Sequence, residues 1–447
     1  NVKINFILHV ELDPNSMLST KNEPKIIRAW CMYDWANSVH NLVITTVIFP
    51  MYFLATAVNS EGGDEIELWG MTLQNSVVYS YTISFATFFL VLLNPILTGI
   101  SDYSGRKKAF MKFFCYLGGA SCAYFYFFTP DNIPSSVIAF ALSIIGWGGS
   151  IVFYNSFLPE IATEDQYDSI SARGFAFGYV GSVVLLIFNL LMIMQPDWFG
   201  FSEADRSEGL PARISFLTVG IWWIGFAQIP FYFLPKDTPR PYQSKWIRNG
   251  FSELRQVFRE LANRTWLRRF LVAFFVYDMG VMTVIYVATL FADKELAIPK
   301  QGLIITLLLI QLVAIPGSFL ASKLSAKFGN TRALRIEIFL WALVPLAAYF
   351  TTTAEQFYVI AALVGLIMGG IQSLSRSTFA KLIPEDTPRT ASYFGFYDIV
   401  EKLATSLGTF VFGGIIQMTG EMRNSVLFLL ILFVIGFILL MRIPSRK

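Results

Sequence analysis

The sequence carries little charge. Only 15% of its 447 residues are Asp, Glu, Lys or Arg, whereas soluble domains carry about 25%. Hydrophobic residues make up 55% of the chain. Apolar stretches of about 20 residues recur, each long enough to cross a bilayer core of about 30 Å. Barrel strands alternate apolar and polar residues over about ten positions, and these stretches do not alternate. The sequence therefore predicts an all-α polytopic membrane protein.

Cysteine and histidine are also scarce. The three cysteines, Cys31, Cys115 and Cys122, lie in or near the predicted spans, so no disulfide framework is implied. Two histidines are too few for a His/Asp metal cluster. The chain has no Gly-rich nucleotide-binding loop, so direct ATP drive is not indicated. We expect no enzymatic activity, no metal, no cofactor and no nucleic-acid partner.

Twelve spans are predicted from the apolar runs. They lie near 30–57, 72–99, 109–128, 135–158, 172–195, 213–234, 270–291, 301–324, 333–352, 356–379, 392–418 and 424–442. If the N-terminus is cytoplasmic, 28 of the 34 Lys and Arg fall in or beside cytoplasmic segments. The loop 58–71 has no Lys or Arg and carries several acidic residues. The positive-inside rule therefore predicts that both termini are cytoplasmic.

The longest connection, 235–269, divides the chain into two halves. It holds nine Lys and Arg and predicts an amphipathic helix in the membrane interface. The apolar stripe of this helix is Ile247, Phe251, Leu254, Phe258 and Leu261. The predicted division is a cytoplasmic leader 1–29, an N-terminal six-helix bundle 30–234, the basic cytoplasmic linker 235–269, a C-terminal six-helix bundle 270–442 and a cytoplasmic tail 443–447. Residues 1–16 precede Met17, and we expect that they are not native.

The two halves repeat each other weakly. Tyr33-Asp34 opens span 1, and Tyr277-Asp278 lies near the start of span 7. SDYSGRKK follows span 2, and SAKFGNTR follows span 8. NSFLPEIATED leaves span 4, and STFAKLIPEDT leaves span 10. Parallel six-helix halves, related by an axis along the membrane normal, are the major facilitator arrangement, which places a central site between the halves at mid-membrane.

The connection between spans 2 and 3, TGISDYSGRKKAF, resembles the G-x-x-x-D-x-x-G-R-K/R loop of the major facilitator superfamily. The residues that fill this pattern are Asp102, Gly105, Arg106 and Lys107. In that family the loop latches the two halves together on the cytoplasmic side, so the resemblance implies a gating role for these residues. The second copy has Ala326 in place of the aspartate, which predicts a charge latch on one side only. A basic loop that merely obeys the positive-inside rule is the alternative.

A closer resemblance covers almost the whole chain from Trp30 onward. The stretches that carry it are YDWANS (33–38), FYNSFLPEIA (153–162), QSLSRSTFAKLIPED (372–386) and YFGFYDIVEKLATSLGTFVFG (393–413). They resemble the autophagy-related vacuolar amino-acid effluxer family, also catalogued as the unknown major facilitator family. Members typically continue YDWANS with Ala and an aromatic residue, whereas Val39 and His40 follow here. The resemblance implies the vacuolar membrane if the protein is fungal, and the inner membrane if it is bacterial.

Polar residues inside the spans are the candidates for function, because such residues are costly in lipid and should face the bundle interior. Those predicted to line the substrate or ion pathway are Asp34, Asn37, Ser38, Asn41, Asp278, Asp398, Glu401 and Lys402. Asp34 and Arg376 lie near cytoplasmic ends, where a structural or gating ion pair is favoured over substrate binding. Asp398 and Lys402 are four residues apart on a helix and are able to neutralise each other. His40 points about 120° away from Asp34, and Gly174, Gly178 and Gly181 are interpreted as packing positions.

These features predict a secondary active transporter that works by alternating access. The resemblance implies amino acids as solutes and efflux as the direction, and the carboxylates in the spans favour protons as the coupling ion. Lys402 is predicted to bind the solute carboxylate, and Asp34, Asp278 or Asp398 its ammonium group. The alternatives are a transporter of sugars, peptides or other metabolites, or a transport-inactive receptor or scaffold. The expected partners are a small solute, protons and the lipid bilayer, and we expect a monomer.

Overall fold

The computed structural model describes residues 21–59, 62–240, 246–385, 387–419 and 422–443. Its first half consists of two short strands and nine α-helices, several of which meet at tight turns. They are α1 (Pro24–Val39), α2 (Ile48–Thr56), β1 (Glu65–Leu68), β2 (Met71–Gln74), α3 (Asn75–Ser104), α4 (Lys107–Tyr124), α5 (Ile133–Ser156), α6 (Leu158–Ile161), α7 (Tyr167–Met194), α8 (Glu203–Ser207) and α9 (Leu210–Phe233). The predicted residues 1–16 and most of the tail 443–447 lie outside the described residues.

The linker and the second half follow in the same order along the chain. They comprise α10 (Trp246–Asn263), α11 (Thr265–Leu296), α12 (Lys300–Phe328), α13 (Asn330–Phe350), α14 (Ala354–Leu382), α15 (Thr390–Thr419) and α16 (Met422–Met441). Within the described ranges, eleven helical segments are long and apolar enough to cross a membrane. The remaining predicted span corresponds to α4, which is 18 residues long and begins with the charged sequence KKAFMK. The fold is all-α and polytopic.

The first predicted span is not a uniform α-helix. Residues His40–Val47 form a π-helix between α1 and α2, and the Thr46 hydroxyl donates to the Asn41 carbonyl oxygen at 2.8 Å. A π-helix has a wider turn than an α-helix, and such segments are frequent at functional sites. The regular α-helical spacing of side chains that was predicted for span 1 therefore ends at His40.

The predicted loop 58–71 contains a β-hairpin. Strand β1 pairs antiparallel with β2, and Leu68 lies opposite Met71. The two connecting residues, Trp69 and Gly70, both have positive φ, at 52° and 80°. Two such residues form the type I′ turn that matches the twist of paired strands. As a result helix α3 begins at Asn75 rather than at the predicted residue 72.

The two halves meet along a few long helices. Helix α7 packs against α12 and α14, while α3 and α5 pack against α15. We call the end of the bundle that holds residues 105–106, 162–166, 234–240, 246–264, 383–385 and 387–389 the basic end, and the end that holds the hairpin the acidic end.

The linker helix α10 spans both halves at the basic end. Gly250 packs against the backbone of Gly99 and Ile100 in the first half. Glu260 pairs with Arg389 in the second half at 3.1 Å. Of the predicted apolar stripe, Phe251 and Phe258 are exposed, and the residues that α10 buries include Val257 and Leu261. The helix therefore clamps the basic end rather than only tethering the two halves.

Candidate functional site

A buried ion pair joins the halves near the basic end. Arg376 of α14 lies 3.4 Å from Asp34 of α1, measured from Nη1 to Oδ2, and both residues are at most 5% exposed. The Tyr154 hydroxyl donates to the same carboxylate oxygen at 2.6 Å. The guanidinium also donates to Ser171 Oγ at 2.9 Å, to the Ser171 carbonyl oxygen at 2.8 Å and to Asn155 Oδ1 at 3.2 Å. Three residues of the first half, Asp34, Asn155 and Ser171, thus hold one arginine of the second half.

Aromatic rings and a glycine shape the space around this arginine. The Arg376 guanidinium lies 4.7 Å from the Trp30 ring centroid and 4.2 Å from that of Phe175, within the range of cation–π attraction. A Cβ atom on Gly174 would lie 2.6 Å from Asp34 Oδ2 and 2.9 Å from Arg376 Nη2. Gly174 was predicted as a packing position, and the ion pair occupies the space that its missing side chain leaves.

The loop between spans 2 and 3 binds the start of helix α15. Asp102 accepts hydrogen bonds from the backbone N–H of Ser392 at 2.7 Å and from its hydroxyl at 2.6 Å. A carboxylate at a helix N-terminus satisfies free N–H groups and complements the helix dipole. Lys107 pairs with Glu160 and also donates to the Thr390 hydroxyl.

The turn of this loop depends on Gly105, which ends helix α3. Its φ is 66°, in the left-handed region that favours glycine, and a Cβ atom there would collide with the Thr238 carbonyl oxygen. Arg106 follows at the start of α4 and is exposed. The structure therefore brings Asp102 and Lys107 into contacts between the halves.

A second charged contact lies on the other side of the basic end. Asp168 at the start of α7 pairs with Lys381 at 2.8 Å. It also accepts hydrogen bonds from Ser325 Oγ at 2.8 Å and from Asn330 Nδ2 at 2.7 Å. The prediction of a charge latch on one side only is wrong. The second copy of the loop has Ala326 where the first has an aspartate, and Asp168 of the opposite half supplies the carboxylate instead. The two latches are related by the internal repeat, with the acid in the first half both times.

We predict that Asp102→Ala opens the basic end. Loss of the helix cap should cost the closed state about 1–2 kcal/mol, which shifts the ratio of closed to open molecules about 5- to 30-fold. Spin labels on Glu164→Cys and Lys327→Cys, both exposed and on opposite halves, would report the distance by electron–electron resonance. The native cysteines are buried and should not be labelled. Asp131→Ala, an exposed acid in a different connection, should leave the distance distribution unchanged.

A second charged cluster lies deeper between the halves. Lys402 and Asp398, one turn apart on α15, form an ion pair. Asn94 of α3 donates to the other carboxylate oxygen of Asp398 at 2.7 Å. On α5, Gly148 faces the lysine, since a Cβ atom there would lie 3.7 Å from Lys402 Nζ. Lys402 thus stands at the boundary between the halves, where the first half supplies small and neutral neighbours.

Two carboxyl groups near this pair form no salt bridge among the described residues, although Lys402 acts on one of them, Glu401, electrostatically. Asp278 of α11 is 5% exposed, and its Oδ2 atom has no hydrogen-bond partner. Glu401 of α15 is close enough to interact with it electrostatically. Tyr286 interacts with both carboxyl groups and is 51% exposed. The second half thus carries two further carboxyl groups near the Lys402–Asp398 pair.

The other polar residues of span 1 divide between two environments. Asn37 is buried and its Nδ2 atom has no hydrogen-bond partner among the described residues, and Ser38 lies against Gly178. Asn41 is exposed, because the π-helix begins beside it. His40 is buried within the first half, where its Nε2 atom lies 3.1 Å from Ser143 Oγ. The structure does not bring His40 to Asp34, and the pathway role of Asn37, Ser38 and Asn41 stays a prediction.

Several residues of the site were not found from the sequence. Glu337 of α13 is 6% exposed, and its Oε2 atom has no hydrogen-bond partner among the described residues. It was detectable from the sequence, because an ionisable residue within a span is costly in lipid, the rule that pointed to Lys402. Asp168 is also charged, but it lies at a helix start, where acids are common. Asn94 and Ser171 are neutral, and nothing in their local sequence distinguishes them from packing residues. Tyr154 lies in FYNSFLPEIA, one of the stretches that carry the family resemblance, but no residue-level signal there indicates its contact with Asp34.

Comparison with known proteins agrees with this architecture. The family model described as "Vacuole effluxer Atg22 like" matches residues 22–447. The chain belongs to the Atg22-like vacuole effluxer family. It is 35% identical over 428 residues to the uncharacterised MFS-type transporter YxiO of Bacillus subtilis (strain 168), covering 94% of each chain. It is 23% identical over 470 residues to autophagy-related protein 22-2 of Aspergillus niger, covering 86% of this chain and 78% of that one.

Solved structures show the same fold at low identity. The Escherichia coli fucose:proton symporter FucP superposes with a TM-score of 0.68 at 16% identity, over 95% of this chain and 98% of that one. The human organic anion transporter MFSD10 superposes with a TM-score of 0.67 at 15% identity, over 94% of this chain and 99% of that one. The protein is therefore an integral membrane transporter of the major facilitator superfamily and not an enzyme.

Proposed function

We propose that this transporter moves amino acids by alternating access, in the direction of efflux and coupled to protons. The observation that carries the proposal is the cluster of Lys402, Asp398, Asp278 and Glu401 in the second half, in which Lys402 and Asp398 contact the first half. An α-amino acid presents one carboxylate and one ammonium group, and this cluster offers one cation and more than one anion. Central sites between the two halves are typical of the major facilitator fold.

The existing contacts support a proposal for how the two ends of the solute bind. Asp34 is held by Arg376 and Tyr154, and Asp398 by Lys402 and Asn94. Asp278 alone of the three candidate aspartates lacks an ion-pair partner among the described residues. The solute ammonium group therefore binds Asp278, and its carboxylate competes with Asp398 for Lys402. Glu401, beside both, is placed to carry the coupling proton.

The contacts at the basic end serve as the gate. Opening that end requires separating Asp34 from Arg376, Asp102 from α15, and Asp168 from Lys381. The excess of Lys and Arg at this end supports a cytoplasmic location for it and for both termini. Identity to a Bacillus protein supports the cell membrane of a bacterium, and we propose a monomer with two six-helix halves at 30–234 and 270–442.

Transport by reconstituted protein tests the proposal. In proteoliposomes with a gradient of about one pH unit, one proton per solute would sustain about tenfold accumulation of a labelled amino acid, because one pH unit corresponds to about 1.4 kcal/mol. A protonophore should abolish the accumulation while leaving exchange across the membrane intact. Accumulation that survives the protonophore would contradict proton coupling. Movement of sugars or peptides, with no movement of any amino acid, would contradict the solute class.

A further inference from the structure

The linker helix α10 carries its acidic and basic residues on different sides. Glu253 and Glu260 both pair with Arg389 of the second half, and the Tyr393 hydroxyl donates to Glu260. Three arginines of the helix are exposed, Arg248, Arg255 and Arg259. They form no salt bridge with any described residue. The helix therefore directs its negative charge toward the bundle and its positive charge away from it.

Two phenylalanines lie on the exposed side with the arginines. Phe251 is 47% exposed and Phe258 61%, and Arg255 lies about one helical turn from each of them. The buried side of the helix carries Gly250, Val257 and Leu261. Aromatic rings beside basic side chains are typical of helices that lie in the membrane interface, because the rings leave water while the cations stay among the headgroups.

The position of α10 in the bundle places this side near the phospholipid headgroups. Gly250 packs against Gly99 of α3, and the Phe258 ring lies 6.0 Å from the Phe396 ring of α15. Both of these long helices expose large apolar residues farther along, Phe85, Phe88 and Leu92 on α3 and Leu403, Leu407 and Phe410 on α15. Leu92 precedes Gly99 by seven residues and Leu403 follows Phe396 by seven, so each contact with α10 lies about 10 Å beyond this apolar surface. The headgroup layer extends about 5–8 Å beyond the hydrocarbon, which the outward side chains of α10 are long enough to reach.

We propose that the exposed side of α10 binds anionic phospholipids of the surrounding membrane. The planar guanidinium groups of Arg248, Arg255 and Arg259 match the geometry of phosphate oxygens, and Phe251 and Phe258 enter the boundary of the acyl chains. Clusters of basic residues on an amphipathic helix bind lipids of net negative charge in this way. A zwitterionic lipid offers the same chains and phosphate, but its own cation offsets the attraction. The bound lipid anchors the helix that clamps the basic end.

A fluorescent label on α10 tests the proposal. Ala262→Cys places an environment-sensitive fluorophore at an exposed position one turn beyond Phe258, and the native cysteines are buried and should not react. The full-length protein in neutral detergent is titrated with short-chain phosphatidylglycerol, short-chain phosphatidylcholine and an oligoglutamate peptide. The half-maximal change should need about a hundredfold less phosphatidylglycerol than phosphatidylcholine, because each of three basic residues contributes about fivefold. High salt should remove most of this preference.

Two matched triple variants locate the effect. Arg248→Gln, Arg255→Gln and Arg259→Gln together should abolish the preference for phosphatidylglycerol and leave the response to phosphatidylcholine nearly unchanged. Lys323→Gln, Lys327→Gln and Arg332→Gln remove the same charge from exposed positions around the loop between α12 and α13 and should keep the preference.

The phenylalanines have a separate signature. Phe251→Ser combined with Phe258→Ser should weaken the response to both lipids by a similar factor, since both lipids carry acyl chains. Equal responses of the unsubstituted helix to the two lipids, or a preference that the arginine variant keeps, would overturn the proposal. A fluorescence change with oligoglutamate but not with phosphatidylglycerol would also overturn it, and would indicate an acidic protein as the partner instead.

Discussion

An Arg376→Ala variant is expected to lose about 3–5 kcal/mol of folding free energy, because removing one partner of a buried ion pair leaves the other charge uncompensated. Asp34 would keep the Tyr154 hydroxyl as a donor, at 2.6 Å, in a position that is only 5% exposed. The loss should appear as a lower apparent unfolding temperature of the purified protein. Arg240→Ala, which removes an exposed arginine at the same end, should change stability by less than about 1 kcal/mol.

A double variant separates folding from gating. Asp34→Asn combined with Arg376→Gln removes both charges, and the new amides still form hydrogen bonds, so most of the lost stability should return. The closed basic end should still be less populated, as measured with the Glu164→Cys and Lys327→Cys spin labels. If the double variant is as unstable as Arg376→Ala, the uncompensated aspartate is not the cause. If it closes the basic end as fully as the wild type, the ion pair has no part in the gate.

Much of the fold could be predicted because hydrocarbon imposes simple rules on a chain. Each long apolar run had to form a helix, since a backbone in lipid must satisfy its own hydrogen bonds. The hairpin of β1 and β2 escaped detection because it depends on the positive φ of Trp69 and Gly70, and the first of these is not a residue typical of that conformation. The π-helix at His40–Val47 also leaves no periodic signal, since its sequence is as apolar as an α-helix.

The charged residues of the site could be predicted from the sequence, but the residues that they contact could not. Asp34, Arg376 and Lys402 stood out because charge inside a span is costly. Nothing in one sequence shows that Asp34 meets Arg376, which lies 342 positions away. The same limit explains the missed second latch, where Asp168 serves residues 157 and 213 positions later. Contacts between the halves are determined by how the bundles pack, and local sequence patterns do not contain that information.

The internal repeat explains why the two latches differ in position but not in chemistry. In each latch an acid of the first half binds polar groups of the second half: Asp102 binds the start of α15, and Asp168 binds Lys381 and the loop between α12 and α13. In the first latch the acid, Asp102, belongs to the repeated loop motif itself. In the second latch the acid, Asp168, lies at the start of the helix that faces the second copy of the motif. Both contacts join the same two rigid bodies, so separating the halves at the basic end must break them together.

A Lys402→Ala variant is expected to reduce amino-acid flux by about a hundredfold or more, because truncating a charged partner of a buried pair costs about 2–5 kcal/mol in binding and 1.4 kcal/mol is tenfold. Lys402 is the only cation that the described residues place in contact with Asp398, and it faces the first half at Gly148. Flux of a labelled amino acid into proteoliposomes measures the effect. Lys327→Ala, which removes an exposed lysine at the basic end, should transport normally.

The stability of the same variant must be separated from its transport. Without Lys402, Asp398 would be a buried carboxylate held only by Asn94, so Lys402→Ala should also unfold more readily. Adding Asp398→Asn removes that unpaired charge and should restore most of the stability, yet flux should stay low because no cation is left for the solute carboxylate. If the double variant transports like the wild type, Lys402 serves only to neutralise Asp398. If it is stable but inactive, the lysine is a solute ligand, as we propose.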